Sequence, residues 1–433
     1  MIDTVVVDPK LVLSDVSHKP FGININYLRD HDDNRPDVRP LREAILETGS
    51  RHLRYPGGEK SDWHLFDPQD PQQIGPYVKF AEGNRKMTFD DFIQLCRDTN
   101  TQPHVVVACD SLARTGVTED QFLDNATKWV TYANITRRYA VKYWEVGNEN
   151  WHNQTAPPRE MARIVRRFSA AMKAIDPEIL ICASGNNEAW WSEFLPLAAD
   201  CIDRLVVSQY TGWNYQNYTY FAVNDDLDMI ATAELSLSCI DTYAASDKNR
   251  LKTIIAELNS MDYAENGWPA ANNLGHALVT FCIFGKMLQQ PRIDYGMLWN
   301  TRWMNQEEQH RSLFYGLDGN NRLLPSAMPL KIWSSYLQDL MVSADCPSGL
   351  VSFASLSRAG QQLSVFVINK GFDERQIRVE VDGRTVVCRR SHTLSGSSPA
   401  DLDPRLIEST CAGDDGISQL PPVTLCILEF ELL

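Results

Sequence analysis

The chain lacks several features that would assign it to a common functional class. Its 433 residues carry a formal charge of −15, whereas nucleic-acid recognition needs clustered Lys and Arg. No apolar run approaches the ~20 residues that span a bilayer, and no HExxH, GxGxxG or GxxxxGK motif occurs. We therefore expect neither a nucleic-acid nor a membrane partner, and no metal or other cofactor.

Cysteine pairs and a leader are also missing. The ten cysteines form no CxxC pair, which excludes a zinc ribbon and gives no sign of a disulfide framework. His31-Asp32-Asp33 is more typical of a polar loop than of a ligand set. The first residues, Met1–Thr4, lack the basic and apolar segments of a signal peptide. A cytosolic protein is favoured, or a secreted one if a leader has been trimmed.

What the chain does have is an alternation of strand-like and helix-like stretches across residues 20–340. The strand candidates are short, apolar and bounded by polar or Gly/Pro residues, as buried parallel strands are. They are Phe21–Asn26, His52–Tyr55, Pro103–Ala108, Lys142–Gly147, Ile179–Ala183, Leu205–Gln209, Thr253–Ala256 and Tyr295–Trp299. The amphipathic segments between them are Asp37–Thr48, Thr88–Asn100, Thr118–Tyr139, Pro158–Ile175, Asp226–Ala245 and Ala270–Gln290. Eight strands predict a (β/α)8 TIM barrel, since the alternative, a doubly wound sheet, would not need eight.

Beyond about Leu340 the pattern changes to strands separated by turns. The candidates are Val351–Ala354, Leu363–Ile368, Ile377–Val381 and Val423–Leu428. We predict an appended antiparallel β-sandwich made of residues 341–433 and residues 1–19, which contribute Val5-Val6-Val7.

Two of the predicted barrel strands end in a glutamate. Asn148-Glu149 closes the fourth strand, and Glu257 closes the seventh. Catalytic groups of such barrels lie at the carboxyl ends of the strands, and strands four and seven face each other across the barrel. Hydrolysis of a glycosidic bond with retention needs one carboxylic acid and one carboxylate about 5–5.5 Å apart. The pair therefore favours this chemistry, although each glutamate could instead be a solvated loop residue or an arginine partner.

These segments resemble motifs of a known group of enzymes. Gly147-Asn148-Glu149 and Ala256-Glu257 are similar to the motifs of glycoside hydrolase clan A. Within the clan the chain most resembles the family 51 α-L-arabinofuranosidases, and it shares some features with family 79, the glucuronidases and heparanases. The segments that carry this resemblance are Leu53–Gly58, Ala171–Pro177 and Asn273–Leu278 for family 51, and Arg54–Phe66 for family 79. The resemblance implies a barrel with a β-sandwich, Glu149 as acid/base and Glu257 as nucleophile.

The resemblance also implies roles for residues around the pair. Asn148 would hydrogen-bond the sugar 2-hydroxyl, and Arg54 would lie beside Glu257 and favour its ionised form. The alternative for Arg54 is a structural ion pair, for example with Glu145. Tyr210 would donate a hydrogen bond to the nucleophile, or else would pack in the core.

Tryptophans follow several predicted strand ends. Trp299 corresponds to the aromatic floor of the clan, on which the apolar face of a sugar packs. Other tryptophans could line the cleft or cover the core, and they are Trp63, Trp151, Trp190, Trp191, Trp213 and Trp303.

The chain departs from the arabinofuranosidase pattern at two positions near the non-reducing sugar. The pattern has a glutamate in the first-strand motif, where this chain has Asn24-Ile25-Asn26, and an asparagine after Pro-Gly-Gly, where it has Glu59. Asn26 and Glu59 are therefore candidate substrate-binding residues. Glu59 or Lys60 could serve another sugar or a charged group, or form a solvated loop pair.

The function best supported by the sequence is retaining glycoside hydrolysis without a cofactor, most like an α-L-arabinofuranosidase. The substrate would be an oligosaccharide or glycoside, and relatives of this kind often form homo-oligomers. Alternatives are a clan A enzyme of other specificity, such as a β-glucuronidase, β-xylosidase or endo-glycanase, and a catalytically silent carbohydrate-binding barrel. A lyase or aldolase would need a strand-end lysine or metal ligands, and the sequence shows neither.

Overall fold

The computed structural model describes residues 2–80, 82–109, 116–153, 156–211, 218–260, 271–303, 315–409 and 417–433. These residues form a closed barrel of eight parallel strands and a separate, mostly antiparallel sheet of nine strands. The predicted fold class, a TIM barrel with an appended β-domain, is confirmed.

Each barrel strand overlaps a stretch predicted from the sequence. The strands are Phe21–Asn24 (β2), His52–Tyr55 (β3), Gln102–Val107 (β6), Tyr143–Val146 (β7), Leu180–Ser184 (β8), Arg204–Tyr210 (β9), Lys252–Asn259 (β10) and Ile293–Leu298 (β11). Around the barrel they follow chain order, and β11 closes the circle by pairing with β2. A short hairpin of His64–Leu65 (β4) and Gln72–Gln73 (β5) lies in the connection after β3.

Helices cover the outside of the barrel. They are Leu41–Thr48 (α1), Phe89–Thr99 (α2), Glu119–Val130 (α3), Asn150–Asn153 (α4), Pro158–Ile175 (α5), Glu188–Ala198 (α6), Tyr218–Val223 (α7), Ala231–Tyr243 (α8), Leu274–Gln289 (α9) and Met328–Tyr336 (α10). Thr88 and Thr118 each form a capping box that starts α2 and α3, because their hydroxyls accept the backbone N–H three residues on. Among the described residues, no helix has the length and apolar character that crossing a bilayer requires.

The helices differ from the sequence-based prediction in extent and in number, since α4, α6, α7 and α10 lie outside the predicted segments. The segment from Thr118 to Tyr139 is α-helical only to Val130, after which residues Thr131–Thr136 form a wider π-helical turn. Helix α6 was not predicted, because its two tryptophans and its Phe and Leu residues leave little polar contrast around the helix.

The second sheet joins the two ends of the chain. Its strands are Ile2–Asp15 (β1), Leu340–Asp345 (β12), Leu350–Leu356 (β13), Gln362–Asn369 (β14), Arg375–Val381 (β15), Val386–Ser395 (β16), Arg405–Ser409 (β17), Ile417–Leu420 (β18) and Thr424–Leu432 (β19). Strand β1 lies between β12, to which it is antiparallel, and β15, to which it is parallel. Val5-Val6-Val7 therefore do add a strand to this sheet.

The sheet packs on the barrel through one of its faces. Along β14, Leu363, Val365 and Val367 face the interior of the β-domain, while Phe366 and Ile368 join the barrel core. This alternation is the two-residue period of a strand buried on both faces. On the barrel side the ring of Trp333 lies 4.5 Å from that of Phe366. The two parts thus share one apolar interface.

Candidate active site

A cavity of about 450 Å³ opens at the carboxyl ends of the barrel strands. Both predicted carboxylates, Glu149 and Glu257, line it. The other lining residues are Glu59, Trp151, His152, Asn186, Ser208, Tyr210, Trp299 and Trp303. A concave site of this size that combines aromatic walls with a few convergent polar groups is typical of small-molecule binding.

Glu149 sits on a tight turn after β7. Gly147 and Glu149 both have left-handed backbone, with φ of +76° and +45°. A Cβ on Gly147 would come within 2.3 Å of the Asn150 side chain, so the close approach requires glycine. Asn150 is in turn fixed by Ser184, whose hydroxyl lies 3.1 Å from the Asn150 Oδ1. A left-handed glutamate costs roughly 1–2 kcal/mol, which this turn must offset.

The surroundings of Glu149 keep its carboxyl protonated. Burial and the charge of Glu257 raise the pKa of Glu149 to about 8, and a hydrogen bond from the Ser208 hydroxyl at 2.5 Å opposes the rise. At neutral pH the group therefore holds a proton, as a general acid must.

Glu257 is turned toward the cavity by a β-bulge. Ile255 pairs with Val207 and Glu257 with the next residue, Ser208, so Ala256 is the extra residue of β10. Without the bulge, alternation would point Glu257 to the helix side, because Ala256 already faces the barrel interior. Asn24 supports the bulge by donating from Nδ2 to the Ala256 carbonyl at 2.7 Å.

Two donors hold the Glu257 carboxylate. Arg54 donates from Nη1 to Oε1 at 3.0 Å, and the Tyr210 hydroxyl donates to Oε2 at 2.7 Å. Burial raises the pKa of Glu257, and Arg54 and Tyr210 oppose that rise. Because the cation and the phenol contact Glu257 and not Glu149, we infer that Glu257 ionises first. The surroundings of the two carboxyls therefore favour opposite forms, the protonated acid at Glu149 and the carboxylate at Glu257.

Arg54 makes both of the contacts that the sequence left open, one with Glu257 and one with Glu145. It forms two hydrogen bonds with Glu145, at 2.8 and 3.0 Å, and also contacts Glu257, Asn24 and Asn148. These five bonds use all five of its N–H donors. Burial would lower the pKa of Arg54, but Glu145 and Glu257 outweigh that and raise it. The guanidinium is therefore permanently charged and fixed in place.

A polar chain continues below Arg54 into the barrel. Glu145 also receives His104 Nε2 at 2.9 Å, and His104 Nδ1 lies 2.7 Å from the Tyr295 hydroxyl. Burial lowers the pKa of His104, so the ring is neutral, with Nε2 donating and Nδ1 accepting. Burial would raise the pKa of Glu145, but Arg54 and His104 hold it below its usual value.

Four of the predicted site residues lie outside the cavity lining, namely Arg54, described above, and three others. Asn148 is buried beneath it, where its Oδ1 accepts from Arg54 at 2.6 Å. Asn26 donates to the Arg302 carbonyl at 3.0 Å and braces a loop. Trp63 is buried, with its ring packed against Gly75.

Other lining residues were not singled out from the sequence. His152, Asn186 and Ser208 belong to this group, and Asn186 Oδ1 accepts the Ser208 backbone N–H at 3.2 Å. Ser208 could have been found, because it precedes Tyr210 by two positions on β9 and so shares its face. Of the remaining tryptophans, Trp303 lines the cavity.

Trp190 and Trp191 are buried in the core, and Trp213 falls outside the described residues. Across the described ranges, no three His, Cys, Asp or Glu side chains are grouped so that they could hold a metal ion.

Sequence comparison finds proteins that are similar to part of the chain. Residues 45–226 match the family described as Alpha-L-arabinofuranosidase 1 domain. The α-L-arabinofuranosidase C of Emericella nidulans is 30% identical in an alignment 191 residues long that covers 38% of this chain and 35% of that protein. The intracellular exo-α-(1→5)-L-arabinofuranosidase of Acetivibrio thermocellus is 25% identical over 57% of this chain and 52% of its own length. The chain thus spans about a third to a half of the curated relatives it matches.

Structural comparison extends the likeness to almost the whole chain. The crystal structure of α-L-arabinofuranosidase from Thermotoga maritima, an arabinose complex, aligns with a TM-score of 0.76 at 20% identity. The alignment covers 99% of this chain and all of that one, so the two share a fold. The resemblance expected from the sequence motifs is confirmed: the chain is similar in sequence to α-L-arabinofuranosidases over part of its length, and it shares the fold of one of them over almost all of it.

Proposed function

We propose that the protein is a retaining glycoside hydrolase with α-L-arabinofuranosidase-like activity. The observation that carries this proposal is the pair of carboxyls in one cavity, the half-buried Glu149 and the buried Glu257, with opposite surroundings. The family match over residues 45–226 and the arabinofuranosidases named among the relatives support the choice of sugar.

In the proposed reaction Glu149 gives its proton to the glycosidic oxygen while Glu257 attacks the anomeric carbon. The aglycone leaves as an alcohol, and a covalent glycosyl-enzyme forms. Glu149, now a carboxylate, removes a proton from water, whose oxygen attacks the same carbon and releases Glu257. Arg54 and Tyr210 stabilise the carboxylate at the start and again when it is released.

The test uses the alanine variants of the two carboxyls. We expect E149A and E257A each to lose several orders of magnitude in kcat on aryl α-L-arabinofuranoside. Added azide should give a glycosyl azide of inverted configuration with E257A and one of retained configuration with E149A. Near-wild-type activity in either variant would remove that residue from the mechanism.

The sugar is a separate question, because Glu59 places a third carboxylate in the cavity lining where the family pattern has asparagine. This observation favours a second candidate, a clan A hydrolase of other specificity. A panel of aryl arabinofuranoside, xyloside, glucuronide and galactoside, assayed alongside polysaccharides, would rank them. Binding of oligosaccharides without turnover of any would indicate the silent carbohydrate-binding barrel. The cytosolic location and homo-oligomeric state remain predictions, which cell fractionation and size measurement in solution would test.

A further inference from the structure

Lys60 is a buried cation that the proposed mechanism does not use. It lies in the 3-10 turn Gly58–Trp63, which follows β3, and its side chain is fully buried. Its ammonium is among the buried polar groups without a hydrogen-bond partner in the described structure. Burying a charge in this way is costly, so the position is of interest for function.

The ammonium lies beside the aromatic wall of the cavity. Its Nζ is 4.6 Å from the ring centroid of Trp303 and 5.2 Å from that of Trp299, both of which line the cavity. The same turn packs closely on Trp299, since a Cβ added to Gly58 would come within 1.9 Å of that ring. The two indoles therefore provide cation–π contacts to the cation, which itself is not among the cavity-lining residues.

Among the charged groups that raise the pKa of Lys60, Glu257 has the strongest effect. Burial lowers the pKa of Lys60 to about 7, and Glu257 is the strongest of the groups that oppose this, followed by Asp30. The charge of Arg54 lowers the pKa of Lys60 further, whereas the charge of Glu59 raises it. Asp30 already has a partner, since Arg302 donates to it at 2.8 Å.

The other cation near Glu257 is Arg54, which Glu257 shares with Glu145. Arg54 forms two hydrogen bonds with Glu145 and one with Glu257, so one guanidinium serves two buried carboxylates. Glu59 brings further negative charge to the cavity wall. A further positive charge near the cavity wall would favour the ionised form of Glu257.

We propose that Lys60 is a positioning residue whose ammonium, held behind Trp299 and Trp303, supplies with Arg54 the positive charge that keeps Glu257 ionised. The inference rests on the proposed function, in which Glu257 is the nucleophile. Lys60 acts across the aromatic wall and does not contact the sugar. An ammonium that instead bound a substrate carboxylate would be a different role, and the test below separates the two.

The test compares K60M and K60R with wild type, using an exposed lysine, Lys128, as the matched control in K128M. In K60M we expect the acid limb of the kcat/KM profile to move up by about half to one pH unit, because Glu257 loses a neighbouring cation. K60R should return the limb toward its wild-type position, and K128M should not move it. An unchanged acid limb in K60M would overturn the inference, while loss of activity in E257A would still support the proposed function.

A second readout does not depend on activity. Replacing an unpartnered buried charge with methionine should leave the melting temperature equal or higher, and the gain should be larger at pH 6 than at pH 9.5, where Lys60 is already neutral. A large fall in melting temperature at both pH values would assign Lys60 a purely structural role. A change in the preference between neutral glycoside and glucuronide, with the acid limb unmoved, would assign it to substrate recognition. Either result would overturn the proposal.

Discussion

Glu149 and Glu257 are the same residue type in the same cavity, but the fold surrounds them differently. Glu257 lies in β10, where a bulge turns its side chain toward the cavity, and its carboxylate accepts hydrogen bonds from a guanidinium and a phenol. Glu149 lies on a turn with left-handed backbone, and its carboxyl accepts a hydrogen bond from a serine hydroxyl. The comparison teaches that the proposed division into acid and nucleophile depends on the donors that neighbouring strands supply, since the two carboxyls are chemically alike.

The largest change to this asymmetry should come from removing Arg54. In R54M both Glu145 and Glu257 would lose their cation while buried, so we expect the free energy of unfolding to fall by about 3–5 kcal/mol. We also expect kcat/KM to fall by about 10²–10³-fold. Denaturant titration and steady-state kinetics measure the two effects. R54K should recover only part of either, because lysine cannot bond Glu145 twice, and a fully active, stable R54M would contradict this account.

Removing the phenol should weaken the nucleophile alone. Y210F deletes one hydrogen bond to the Glu257 carboxylate, so we expect kcat/KM to fall by about 10–100-fold and its acid limb to move to higher pH. The alkaline limb, which reports Glu149, should stay in place. The pH dependence of kcat/KM measures both limbs. Equal movement of the two would show that Tyr210 does not distinguish the carboxyls.

The raised pKa of Glu149 should also be visible in stability. Its pKa is about 8 in the folded protein and about 4.3 in an unfolded chain. Between these values the folded state binds a proton that the unfolded state does not, so stability falls as pH rises from about 4 to 8. E149Q removes this pH-dependent loss of stability. We expect its free energy of unfolding to exceed that of wild type by roughly 1–3 kcal/mol at pH 8 and to equal it near pH 4.

Urea unfolding at both pH values measures this difference in stability. E178Q, at an exposed position, is the control and should show no such pH dependence. A constant difference between E149Q and wild type would show that Glu149 does not titrate in this range.

The smallest effect is expected from Ser208, which contacts Glu149 as Tyr210 contacts Glu257. S208A removes a hydroxyl that lowers the pKa of Glu149, so the alkaline limb of kcat/KM should move up by about half a pH unit. The acid limb should not change. A downward shift of the alkaline limb would mean that Ser208 stabilises the protonated acid and not the carboxylate.

Local patterns predicted most of the fold. The eight barrel strands were readable because each is a short apolar run between breakers, and Thr118 marked a helix start by its capping box. Helix α6 was missed because apolar residues surround it, which removes the periodic contrast.

Several residues of the candidate site were predictable from the sequence, but the hydrogen bonds that connect them were not. Glu149, Glu257, Arg54 and Tyr210 came from motifs and strand ends. The bulge at Ala256 could not be read, because simple alternation puts Glu257 on the opposite face. The burial of Lys60 behind Trp299 could not be read either, since it depends on contacts between parts of the chain far apart in sequence.

The position of β1 has a consequence for how the protein is made. This strand is synthesised long before its neighbours in the sheet, β12 and β15, which begin at Leu340 and Arg375. During translation, at about 5–20 residues per second, β1 must wait roughly 20–70 s for its partners. Its unpaired edge is open to other chains in that time. A ribosome-bound barrel with β1 still unpaired is thus the stage at which chaperones would help most.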